Sequence, residues 1–229
     1  MSIRELLPPE LLSRWPAANR RSPAAAGGSW YAIRNQADER AVVELYDVIG
    51  EWGIPAREFV RDLRAITAPV IDLRINSPGG MIYDGFTIYN ALRDHPARVE
   101  ATVDGLAASA ASWILQAAEY RTMNRHSELM IHDGLALTIG NEADHLESAA
   151  QLARLSDNIA SIYAARAGGD AGEWRDAMRA ETWYTAAEAA DAGLADEAVG
   201  DEEEASNILP RTQLVTARAR AHLERTPVR

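Results

Sequence analysis

Val70-Ile-Asp-Leu-Arg-Ile-Asn76, followed at once by Ser77-Pro-Gly-Gly80, decides how the rest of the chain is read. Apolar and polar residues alternate along it, which predicts a strand with one covered face. The Pro-Gly-Gly break ends that strand sharply, and helical spacing resumes over Tyr83–Leu92. Upstream, Ala41–Asp47 reads as a strand and Pro55–Ile66 as a helix opened by proline. Downstream, Ala97–Gly105 reads as a strand, and Ala107–Ala118 as a small-residue helix, apolar nearly all round and therefore buried. Ser127–Gly134 is a short strand running into a turn, and Ala143–Arg166 is a long amphipathic helix. Thr185-Ala-Ala-Glu188 is a capping box that starts a short helix ending near Gly193.

Repeated strand–helix alternation predicts one α/β domain over residues 30–200, with a mostly parallel sheet and right-handed crossovers. Residues 1–29 read as a flexible arm, with Pro8, Pro9, Pro16 and Pro23, the Arg20-Arg21 pair and the Ala24–Gly28 stretch. Residues 201–229 read as a solvated tail that opens on the acidic run Asp201–Glu204. There is no internal repeat.

Composition narrows the function. With 47% hydrophobic residues the chain reads as globular rather than disordered. A net charge of −11 speaks against nucleic acid as a partner. The absence of cysteine excludes disulfides, thiolate metal sites and a cysteine nucleophile. No apolar run is long enough to span a bilayer, and the start of the chain lacks signal-peptide character, so a cytoplasmic protein is expected.

Three strand-end loops hold residues suited to chemistry. In Asn76–Gly80, paired glycines let backbone amides come close to a ligand; a plain tight turn would use the same residues. In Gly105-Leu-Ala-Ala-Ser109-Ala-Ala-Ser112, a serine at a helix start lies among small residues that leave its hydroxyl open. A helix cap would look alike. In Met130-Ile-His132-Asp133-Gly134, a histidine closes an apolar strand. Of the five histidines, only this one follows a buried strand into a loop.

Taken in order, Ile75–Gly80, Asp104–Ser112, Leu129–Gly134 and Glu181–Asp196 resemble the Clp peptidase family, from about Val42 to Val199. Ala180–Thr185 and Ile49–Gly53 resemble its phage head-maturation branch most. The resemblance implies a Clp peptidase/crotonase-like superhelix of stacked ββα units with a long projecting helix. It implies a serine endopeptidase, with Ser109 as nucleophile and His132 as general base. The backbone amides of Gly80 and Ala110 would form the oxyanion hole. The third triad position, usually aspartate, falls on Glu181, with Asp176 and Asp133 as alternatives. It further implies polypeptide substrates and a homo-oligomeric ring, heptameric and able to stack in pairs. Partners would be a separate Clp-type ATPase, or phage capsid and scaffold proteins. No cofactor and no metal are needed, and the chain carries no Walker motif. Two competing readings are a crotonase-type acyl-CoA enzyme, which needs no Ser–His pair, and a ring scaffold without catalysis.

Overall fold

The computed structural model describes residues 29–34, 39–50 and 55–199. The expected arm up to residue 28 and the tail from residue 201 lie outside them, as do residues 51–53 of the Ile49–Gly53 phrase. The described chain runs β1 (Tyr31–Arg34), β2 (Arg40–Tyr46), α1 (Ala56–Arg64), β3 (Val70–Ser77), α2 (Ile82–Arg93), β4 (Arg98–Ala108), α3 (Ala110–Leu115), β5 (Tyr120–Met123) and β6 (Glu128–Ile131). It continues with α4 (Glu142–Ala167), α5 (Ala171–Arg179), β7 (Thr182–Thr185), α6 (Ala186–Asp191) and β8 (Glu197–Ala198).

The sheet order is β1-β2-β3-β4-β5-β8, with β6 against β4 and β7 against β6. All pairings are parallel except the outermost β1–β2 and β6–β7. The mostly parallel α/β sheet expected from the alternation is therefore present. The inward positions of the central strands are buried: Val43 and Leu45, Ile71, Leu73 and Ile75, Val99 and Val103. Phe59 and Leu63, one turn apart on α1, seal one end, with the Phe59 ring 5.5 Å from Trp30.

One strand sets up the site. β4 pairs with β5 over Glu100–Val103, then with β6 over Leu106–Ala108. At the changeover the register against β3 slips, so that Ile75 faces Val103 while Ser77 already faces Ala107. Gly105 sits in the slip, where a Cβ would lie 2.9 Å from Asn76 Oδ1.

The helix expected over Ala107–Ala118 is shorter, spanning only Ala110–Leu115. Ala107 and Ala108 are drawn into β4 by their pairing with Leu129 and Met130, so ladder hydrogen bonds outweigh the helix propensity of alanine. The long helix is confirmed and splits into two regimes. Its buried residues, Ser156, Ile159, Ala160, Ile162 and Tyr163, all lie in the C-terminal half. In the other half Ala149, Ala150 and Ala153 are exposed. No helix among the described residues is long and apolar enough to cross a membrane.

Candidate active site

The site forms where three loops leave the strands. At the end of β4 the Ser109 N–H donates to the Met130 carbonyl at 3.0 Å. Its backbone then swings to φ 51, ψ −123, a left-handed value that turns the chain out of the strand and into α3. The Ser109 side chain does not cap that helix. Instead its Oγ lies 2.8 Å from His132 Nε2. The register explains the meeting: Ala108 faces Met130 across the parallel ladder, so the next residues out, Ser109 and then His132, leave adjacent strand ends side by side.

The glycine loop is held from the opposite side. Ser77 Oγ donates to the Asp47 carbonyl at 2.6 Å and accepts from the Gly79 N–H at 3.1 Å. The Ile49 N–H donates to the Gly79 carbonyl at 2.8 Å, and the Met81 N–H to the Ile49 carbonyl at 3.1 Å. Those bonds use the groups flanking Gly80, so its own N–H faces away from Ile49. Gly79, at φ 92, is pressed against the Ser109 turn: a Cβ there would sit 2.6 Å from Ala108 O and Ala110 N, and 2.7 Å from Ser109 Cβ.

The three acid candidates separate clearly. Glu181 sits exposed in the turn before β7, at φ 50, and β7 runs antiparallel to β6 with Thr182 opposite Ile131. Glu181 and His132 therefore leave facing strands next to one another. No hydrogen bond joins them among the described residues, but the carboxylate acts on the ring through space. Asp133 is engaged by Arg175 at 2.8 and 3.0 Å, and Arg175 also holds Asp157 at 2.7 Å. Asp176 pairs with Arg179 on an exposed face.

Burial pushes the His132 pKa below its ordinary value, while the nearby charges of Glu181 and then Asp133 act upward. Such an imidazole is neutral at pH 7 and can accept a proton. Among the described residues, the non-glycine positions with positive φ are Asp47, Ser109 and Glu181. Asp47 braces the glycine loop through Ser77, Ser109 is the turn itself and Glu181 stands beside the end of β6, so backbone strain gathers around the site.

Ser112, the other serine of this segment, faces elsewhere. Its Oγ donates to the Ser109 carbonyl at 2.6 Å and meets the Tyr163 hydroxyl at 2.6 Å. Sequence reasoning missed Tyr163, Arg175 and the contact role of Gly79. The first two come from distant helices, and only a lone serine in an otherwise apolar helix hinted at a buried polar partner.

Comparison with known proteins agrees with this architecture. The Clp protease family model matches residues 26–202. The chain is 31% identical over 133 residues to the ATP-dependent Clp protease proteolytic subunit 1 of Salinibacter ruber, covering 57% of each protein. It is 34% identical over 130 residues to the ATP-dependent Clp protease proteolytic subunit of Bacteroides fragilis, covering 56% of this chain and 62% of that one. A further match, at 34% over 134 residues, is subunit 1 of Protochlamydia amoebophila, with 57% and 65% covered. The chain thus spans less than two thirds of the length of these curated relatives. With three quarters of its own length matched by the family model and the expected sheet in place, the chain belongs to the Clp protease family.

Proposed function

We propose that the chain is a serine endopeptidase that hydrolyses peptide bonds through Ser109, His132 and Glu181. The observation that carries this reading is the 2.8 Å approach of Ser109 Oγ to His132 Nε2 in a chain of this family. Serine is a weak nucleophile at its free pKa and needs an adjacent base. His132, held neutral by burial, takes the Ser109 proton as Oγ attacks the carbonyl carbon of the substrate. The amides of Gly80 and Ala110 then donate to the tetrahedral oxyanion, where each donor is worth on the order of a hundredfold in rate. His132 returns the proton to the leaving amine, and water repeats the sequence on the acyl-enzyme. Glu181 stabilises the imidazolium that forms at each stage. The test is a fluorophosphonate probe followed by peptide mapping. The label is expected on Ser109, and an unlabelled protein would leave the ring-scaffold reading in its place. A crotonase-type reading lacks support, because nothing in that chemistry calls for a Ser–His pair.

Glu181→Gln gives a sharper check. Turnover is expected to fall severely, with little change in stability, because an amide favours the wrong imidazole tautomer. The pH profile should also move. Activity is lost as pH falls and His132 takes up a proton, and the ring already titrates below its ordinary value near 6.5. Removing the carboxylate charge lowers it further, so the acid limb of kcat/KM shifts to lower pH. Near-normal rates would transfer the orienting role away from Glu181.

The chain is further read as a homo-oligomeric ring, heptameric and able to stack in pairs, that encloses its active sites in the cytoplasm. Leu135, Leu137, Ile139 and Leu146 are exposed next to the unburied half of α4, with Leu135 at 73% and Ile139 at 81%. Exposed apolar side chains of this kind call for cover, and a second copy of the chain would supply it. Light scattering at micromolar concentration should find a species far above 25.0 kDa, and a strict monomer with full activity would refute it. Any ATP use belongs to a separate ATPase. The phrases Ala180–Thr185 and Ile49–Gly53 favour a head-maturation role on capsid or scaffold proteins. Portal and major-capsid genes beside this one would be the check.

A further inference from the structure

We infer that Ser112 and Tyr163 form a hydroxyl relay that positions the oxyanion-binding amide of Ala110; the inference rests on the peptidase reading above. The Ser109 carbonyl accepts two hydrogen bonds from one residue, from the Ser112 N–H at 2.9 Å and from Ser112 Oγ at 2.6 Å. The first is the ordinary bond of a helix start. The second is an addition that only a hydroxyl at this position can make.

The consequence lies on the other edge of the same peptide unit. The group joining Ser109 to Ala110 is planar and trans, so its C=O and N–H point in opposite directions. Pinning the Ser109 carbonyl therefore aims the Ala110 N–H. A second donor on the carbonyl also polarises the unit and strengthens that N–H as a donor. Ser109 stands at φ 51, outside the common basins, and its carbonyl lies at the first turn of α3, so the Ser112 hydroxyl reinforces a single helix-start bond there.

Proton bookkeeping gives the relay a direction. Ser112 has one hydroxyl proton, and the Ser109 carbonyl can only accept. The Tyr163 phenol therefore donates to Ser112 Oγ across 2.6 Å. The order is Tyr163 O–H to Ser112 Oγ, Ser112 O–H to Ser109 O, and through the peptide to the Ala110 N–H. Ser112 is 0% exposed and Tyr163 1%, so water does not compete for these bonds. Tyr163 belongs to the buried half of α4, so a helix far away in sequence reaches the nucleophile through a single side chain. Neither residue touches the reacting atoms, and both are positioning residues.

A buried serine and tyrosine could also pair merely to satisfy one another, and the experiment separates the two. Peptide hydrolysis (kcat and KM), the rate of fluorophosphonate labelling at Ser109 and the melting temperature are measured for the wild-type chain, Ser112→Ala, Tyr163→Phe and the double variant. Ser112→Ala is expected to lower kcat and the labelling rate about tenfold with KM unchanged, because the lost stabilisation belongs to the transition state. Tyr163→Phe, which leaves the Ser112 hydroxyl in place, is expected to cost about threefold in kcat. Ser112→Ala strands a buried phenol and so lowers the melting temperature; adding Tyr163→Phe should restore much of it. The double variant's kcat should nevertheless stay at the Ser112→Ala value. A kcat that recovers with the melting temperature, or a Ser112→Ala kcat within twofold of wild type, overturns the relay. If Ser112→Ala does not fold, Tyr163→Phe decides: wild-type kcat overturns it, and a threefold loss at constant KM supports it. A wild-type chain that takes no label at Ser109 would overturn the peptidase reading and the relay together. A labelled wild type matched by an equally fast Ser112→Ala overturns the relay alone.

Discussion

Ser109→Ala is expected to abolish peptide hydrolysis, a loss on the order of 10⁶ in kcat if the triad acts as a unit, while the chain still folds and assembles. The side chain makes no cap bond to α3, and its recorded hydrogen bond is to His132. Removing it costs that bond, worth about 1 kcal/mol, and alanine adds no volume to the turn. Measured turnover and thermal melting should therefore part company. Substantial hydrolysis by the variant would take the nucleophile's role from Ser109. Ser112 would not inherit it, since its Oγ is committed to the Ser109 carbonyl and Tyr163.

The second large effect comes from a residue with no side chain. Gly79→Ala is expected to cut kcat by about 10³ and to destabilise the fold by about 2–4 kcal/mol. Two separate causes act together. The backbone stands at φ 92, which an L side chain resists, and the new methyl would meet Ala108 O, Ala110 N and Ser109 Cβ at 2.6–2.7 Å. Those neighbours are the backbone and Cβ of the Ser109 turn itself, so relief has to displace the atoms that the proposed reaction uses. Gly134→Ala is a useful contrast. Its nearest obstacle is the Ile82 Cδ1 methyl at 2.9 Å, the end of a side chain that can move, and its effect should be mild. The two variants can be compared by active-site labelling and chemical denaturation. Equal behaviour would mean that the close approach at Gly79 is not what shapes the turn.

The elements that could be read ahead of the structure are those whose pattern is local. The alternation of Val70–Asn76, the periodicity of α4 and the capping box at Thr185 each carry their own signal, and each stands where expected. The short strands β1, β5, β7 and β8 carry too few residues for a period to show and exist through their partners. Nor does a helical pattern announce α5, whose polar face outnumbers its buried Arg175 and Met178. The boundary at Ala107 differs for a related reason: alanine favours helix on its own, and pairing with Ser77 of β3 and Leu129 of β6 turns it into strand. At the site, residue types marked Ser109 and His132 only as candidates beside plainer readings, the family resemblance assigned their roles, and the fold brings the two side chains to 2.8 Å. Which carboxylate lies free was not legible, because Asp133 is taken up by Arg175 from a helix more than forty residues away.

The length of β4 has a mechanical meaning. A single strand runs from the middle of the buried sheet, where Val99 and Val103 are locked between neighbours, to the proposed nucleophile. Ser109 is mounted on the chassis of the molecule rather than on a hinged arm. Vibration or loosening at the rim therefore cannot carry the hydroxyl away without disturbing the eleven-residue strand behind it. Adjustments during turnover must then fall on segments outside β4. Two are the turn bearing Glu181, beside the β6 end, and the stretch between Gly134 and Asn141, which forms no ladder or helix. Amide exchange should be slowest immediately before Ser109 and quickest in those two segments.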